Sequence, residues 1–239
     1  MQNLSLFKFN FNEIDTQSIQ RYLSYTYVEY VNYLLDKYGN VKYDYFSNPK
    51  CQTKNHKISR IKEGLYCHHI DEDKTILLST SDIAQHQPFA YQKADRLVYC
   101  TIIEHFILHI KIAEERKDKT SFVGIGGATL IAENINALID SGISFKWQIP
   151  THNLIKQQYS EYIYLLGYFR NLLRTDIMYS QDPLLSDPFL CFDGTVFVRS
   201  IYNDIKNVLH WENYKNIIPK HKWCTKKLYE GDFISYGNT

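Results

Sequence analysis

Four histidines at two short spacings are the residues of this sequence best suited to chemistry: the adjacent pair His68-His69, and His105 with His109 four positions on. An imidazole can ligate a divalent ion while neutral and can take up a proton near pH 7. Around the second pair, Leu97, Val98, Ile102, Ile103, Phe106, Ile107 and Ile110 run on into the charged Glu114, Glu115, Arg116 and Lys117. That pattern predicts an amphipathic helix from about Thr101. Residues four apart on a helix lie about one turn and ~6 Å apart on one face, so both rings can reach one ion. A third ligand is then needed. EGLYCHHI, Glu63 to Ile70, is short, aromatic and branched, and reads as an extended segment. Neighbouring side chains on a strand point to opposite sides. One histidine of the adjacent pair can therefore join His105 and His109 on a metal while the other faces water or substrate as a general base.

The string H-H-I, a polar loop, and then Arg96-Leu97-Val98-Tyr99-Cys100-Thr101-Ile102-Ile103-Glu104-His105-Phe106-Ile107-Leu108-His109 resembles the HNH family of ββα-metal endonucleases, in its phage and mobile-element form. The resemblance covers about a fifth of the chain. It implies an α+β fold, with a ββα-metal core embedded in a mostly helical chain. It further implies His68, His105 and His109 as ligands of one divalent ion (Mg, Mn, Zn or Ni) and His69 as the base that activates water. The reaction implied is phosphodiester hydrolysis, in DNA before RNA, in a phage, mobile-element or defence setting. Arg96 departs from the pattern, because the family places an asparagine there to steady the loop bearing the base. It lies nine residues before His105 and thirteen before His109, which is the family spacing. An arginine has donors but no side-chain acceptor. Arg96 can instead contact the scissile phosphate, or Asp95 can brace the loop. The loop from His69 to Arg96 holds twenty-six residues, including His86.

The formal charge of +1 is low for a protein that grips long nucleic acid. Local patches exist nevertheless. Lys42, Lys50, Lys54, Lys57, Arg60 and Lys62 precede the histidine pair, and Lys215, Lys220, Lys222, Lys226 and Lys227 lie near the end of the sequence. Of the first group, Lys54, Lys57, Arg60 and Lys62 are placed to flank a phosphate. With no helix-turn-helix or zinc-finger reader, the target sequence cannot be read. Two alternatives stand beside a DNA endonuclease: an RNA-cleaving toxin or defence effector on the same core, and a catalytically silent relative that binds nucleic acid or protein.

The 239 residues and 44% apolar content suffice for a sizeable core. No apolar run reaches the length of a membrane span, and the N-terminus lacks a signal-peptide pattern, so cytoplasmic residence away from membranes is the expectation. Five cysteines (Cys51, Cys67, Cys100, Cys191 and Cys224) form no C-x-x-C pair and read as reduced thiols. The twenty tyrosines fall mostly at core spacings, where packing explains them better than base stacking.

Three stretches follow: 1–60, helical and extended with a basic linker; 61–117, the metal core; and 118–239, mainly helical and packed on that core. LFKFNFN alternates like a short strand. Ile19 to Leu35 keeps helical spacing until Tyr38-Gly39-Asn40 ends it, and NVKYDYFSNP reads as extended. Gly124, Gly126 and Gly127 form a tight turn into a packed helix stopped at Gly142. They lack the lysine and spacing of a phosphate loop. A longer helix is expected from about Thr151 to Leu173, and FLCFDGTVFVRSIYNDIKNVLHW as a strand or turn becoming helical.

Overall fold

The computed structural model describes residues 15–116, 121 and 123–175. The N-terminal LFKFNFN, the region from 176 on, His210, His221, Cys191, Cys224 and the C-terminal lysines lie outside them. The chain divides into two compact units: one is Thr16–Ile131 with Phe145–Leu154, and the described part of the other holds 132–144 and 155–175. The architecture is α+β, mostly helical with a single small sheet among the described residues. Its helices are α1 (Thr16–Ser24), α2 (Tyr27–Tyr38), the short α3 (Ser81–Ala84), α4 (Ile102–Glu115), α5 (Ile125–Ser141), α6 (Ile149–Gln157) and α7 (Tyr159–Thr175). The strands are β1 (Tyr66–His69) and β2 (Leu97–Cys100). No described helix is long and apolar enough to cross a membrane.

The strands pair antiparallel, with Tyr66 opposite Cys100, Cys67 opposite Tyr99, His68 opposite Val98 and His69 opposite Leu97. Directly opposed residues share a face. Tyr66, His68, Val98 and Cys100 therefore point one way and Cys67, His69, Leu97 and Tyr99 the other. Thr101 ends β2 and starts α4: its hydroxyl accepts from the Glu104 amide, while Glu104 accepts from the Thr101 amide at 2.8 Å. This capping box satisfies two amides that have no partner inside the helix, and losing such a cap costs about 1 kcal/mol. Glu104 also receives Lys37 at 2.7 Å and the Tyr38 hydroxyl at 2.9 Å, which ties α4 to α2. It is a structural acid, although it adjoins His105.

The second face of the sheet covers a core of Val41, Tyr45, Phe46, Cys51, Ile58, Leu65, Ala84, Leu97 and Tyr99. The segment 41–49 supplies three of these residues without forming a strand; only an isolated bridge, Phe46 to Lys54, is extended-paired. The expected single helix over 19–35 is two. Thr26 caps α2 in a second capping box with Glu29, whose carboxylate accepts the Thr26 amide at 2.7 Å, and this break outweighs the continuous apolar spacing. The expected 151–173 helix is likewise α6 and α7, separated at Gln158. Gly124, at φ +80°, turns into α5, and a Cβ there would stand 2.3 Å from the Ala113 nitrogen. In the second unit the buried Tyr162 hydroxyl donates to Asn136 Oδ1 at 2.6 Å, joining α7 to α5.

Candidate metal centre

Three elements converge on one point. β1 presents His68, the turn after it (Ile70–Asp73) presents Glu72, and α4 presents His105 and His109 one turn apart. One nitrogen or oxygen from each residue lies within 4.8 Å of all the others. Three of the separations are resolved further: His68 Nδ1 to His105 Nε2 is 3.1 Å, His68 Nδ1 to Glu72 Oε2 is 3.4 Å, and His109 Nε2 to Glu72 Oε2 is 3.2 Å. Bonds of about 2.0–2.1 Å to a tetrahedral ion place neighbouring donors about 3.3 Å apart. These three separations match the edges of that tetrahedron.

Protonation suits ligation as well. Burial pushes His68 well below the ordinary histidine range although Glu72 pulls it upward, and burial, with His109 adding to it, lowers His105 to about 3. Both rings are then neutral at pH 7, the form that binds metal. Glu72 is held well below the usual carboxylate range. Burial opposes that shift, but the hydrogen bond from His109 and the surrounding imidazoles outweigh it. Three imidazoles and a carboxylate suit zinc, nickel or another transition ion better than magnesium, which prefers oxygen.

The partners behind the ligands differ. The Tyr27 hydroxyl donates to the Ile70 carbonyl at 2.8 Å, so it must accept from His68 Nε2, also at 2.8 Å. This network sets the His68 tautomer and leaves the Nδ1 lone pair facing the cluster. His109 has no such support: its buried Nδ1 has no hydrogen-bond partner among the described residues. Gly127 of α5 holds that ring instead by contact, since a Cβ there would lie 2.2 Å from both Nδ1 and Cε1 of His109.

His69 points to the other face of the sheet, where it is buried at 1% exposure between Tyr45 and Gln92 and does not face open water, contrary to expectation. Its Nε2 meets Gln92 Oε1 at 2.8 Å, and Gln92 in turn donates Nε2 to the Leu78 carbonyl at 3.2 Å. The amide orientation this implies puts the His69 proton on Nε2 and leaves Nδ1 basic. Burial lowers the proton affinity of His69, against the pull of Glu72 and Gln92. The side chain that contacts His69 is thus Gln92. Arg96 instead forks onto Asp71, at 2.7 and 2.6 Å, and so fixes the turn that carries Glu72. Asp95 is exposed.

Sequence reasoning missed Glu72 and Gln92. A carboxylate four residues after His68 was a visible signal for the first; no local pattern marks the second. Of the basic set, Lys54, Lys57 and Lys62 are exposed, with Lys54 and Lys57 lying over the rings of Tyr45 and Tyr43. Arg60 is engaged elsewhere, by Glu63 at 2.9 and 2.6 Å and by the Tyr38 carbonyl. His56 and His86 are exposed and stand apart from the cluster. Cys51, Cys67 and Cys100 are free thiols, and burial pushes Cys67 up to about 12. No family model, curated protein or solved structure matches this chain.

Proposed function

We propose that this protein binds one divalent transition-metal ion and hydrolyses phosphodiester bonds, in DNA before RNA. The observation that carries the reading is the split of the adjacent histidines: His68 joins His105 and His109, while its neighbour His69 is oriented for base chemistry by Gln92. The order of strand, strand and helix around these residues, and their likeness in sequence to HNH endonucleases, support it. His68 Nδ1, His105 Nε2, His109 Nε2 and Glu72 would hold the ion, which when bound supplies Lewis-acid stabilisation of charge on a phosphoryl group. His69 Nδ1 takes the proton from the attacking water. Gln92 holds the imidazole in that tautomer and steadies the positive charge the ring gains. Arg96 and Lys74 hold Asp71, and through it the turn that places Glu72.

Glu72 favours a second reading. Four protein donors close a tetrahedron, as structural zinc sites do, whereas catalytic sites keep a position open. In that reading the ion cross-links β1 to α4, and the protein binds nucleic acid or a protein partner without cleaving.

Incubating supercoiled plasmid and a structured RNA with purified protein, under magnesium, manganese, nickel or zinc and beside EDTA, decides between them. Metal-dependent plasmid nicking that is lost in His69→Ala supports the hydrolase. Cleavage of RNA alone moves the substrate to RNA. No cleavage, with melting that drops sharply on metal removal, supports the structural ion.

A further inference from the structure

The sheet face that carries His69 also borders a cavity of about 340 Å³. Tyr45, Ile58, Leu65 and Cys67 give it aromatic and apolar walls, and Lys54 and His56 stand at its edge. Tyr45 belongs to both places: its ring lines the cavity and packs on the His69 ring with centroids 4.3 Å apart. Cys67 lies two positions before His69 on the same face of β1.

The charges around this cavity are unevenly matched. Arg60, on its wall, is bound by Glu63, and nearby Lys93 is bound by Asp44 at 2.9 Å. Lys54 has its Nζ 5.4 Å above the Tyr45 ring, and no carboxylate pairs with it among the described residues. Lys54 and the Tyr45 ring therefore stand together on one wall, and Ile58, Leu65 and Cys67 add the apolar lining. The volume sits at the small end of the ~300–1,000 Å³ range of ligand pockets, too small for a duplex and suited to one mononucleotide. An aromatic wall accepts a base by stacking, and a lysine takes phosphate as a point charge.

We propose that this cavity is a subsite for one unpaired nucleotide, with the base against Tyr45 and the apolar floor and the phosphate on Lys54. The subsite rests on the hydrolase reading for its purpose, because the Tyr45 ring that lines it also packs on His69. It does not rest on a metal. The unpaired base implies a substrate that is single-stranded, or locally opened, at the site of attack.

The test is titration of the intact protein with thymidine 5′-monophosphate, thymidine and inorganic phosphate, followed by calorimetry, for wild type and Lys54→Ala, with circular dichroism showing that both are folded under the conditions used. Lys54 is exposed, so its truncation leaves folding intact. The subsite predicts saturable binding of the nucleotide and weaker binding of each part alone. Lys54→Ala should weaken the nucleotide about tenfold, the worth of one charge-assisted contact, and leave thymidine unchanged. Absence of saturable nucleotide binding, equal binding by Lys54→Ala, or phosphate binding as tightly as the nucleotide each overturns it. Failure here alongside metal-dependent cleavage would remove the subsite and keep the hydrolase; nucleotide binding without any cleavage would do the reverse.

Discussion

The phenol of Tyr27, the first residue of α2, accepts a hydrogen bond from His68 Nε2 at 2.8 Å and donates its own to the Ile70 carbonyl. A residue forty-one positions earlier in the chain thereby decides which nitrogen of His68 faces the other donors. Tyr27→Phe removes that acceptor and keeps the ring packing. Its expected effect is a 10- to 100-fold loss of zinc affinity, of the order seen when outer-shell partners are removed, with the circular dichroism spectrum unchanged. Competition against a chromophoric chelator measures it, and unchanged affinity would show that the tautomer is set by something else.

The position of Tyr27 depends on the capping box before it, and this gives a pH dependence. The Glu29 carboxyl lies below its ordinary value, chiefly through the Thr26 amide and then the Thr26 hydroxyl. A depressed carboxyl stabilises the fold above its unfolded value, and the contribution fades as pH falls through the folded one. Wild type should melt above Glu29→Ala at pH 7, with the gap closing below about pH 4. Thermal melts across that range check it; a gap that grows toward acid would contradict the assignment.

Two neighbouring glycines of α5 should answer differently to alanine. At Gly127 a Cβ would stand 2.2 Å from the His109 ring, whereas at Gly126 nothing lies within 4 Å. Gly126→Ala should be neutral or stabilising by up to ~1 kcal/mol through helix propensity. Gly127→Ala should lose stability by about 1–3 kcal/mol through overpacking and should also lose metal, because the ring must move. Denaturant unfolding paired with metal titration reads both effects.

The residues around the cluster differ in how readable they were from the sequence. The grouping of His68, His105 and His109 was legible because strand alternation and helical spacing fix which side chains share a face before any tertiary contact is known. Glu72 sits on a single tight turn, where no period applies, and Gln92 reaches His69 only because the 70–96 loop folds back over the sheet. The break at Thr26 was present as the Thr-x-x-Glu string Thr26 to Glu29, but the tyrosines and leucines on both sides kept one apolar spacing and hid it. The role of Arg96 needed Asp71, twenty-five residues away, to be seen.

Arg96 should behave as a clamp on the Glu72 turn. Its side chain is 39% exposed, so the fork onto Asp71 is worth only about 1 kcal/mol. Arg96→Ala should reduce metal affinity several-fold, and Arg96→Lys should not restore it, since an ammonium cannot make the two parallel bonds. Normal metal affinity in Arg96→Ala, with weakened binding of oligonucleotide, would place the guanidinium on phosphate instead.

The proposed ion would be held by His68, Glu72, His105 and His109. The most direct test is the metal content of protein reconstituted with zinc and dialysed, measured by mass spectrometry for wild type and for the His105→Ala and His109→Ala variants. One ion per chain in wild type, and markedly less in each variant while the protein stays folded, is the result predicted. Less than stoichiometric zinc in folded wild type, or a full equivalent retained in both variants, would contradict it.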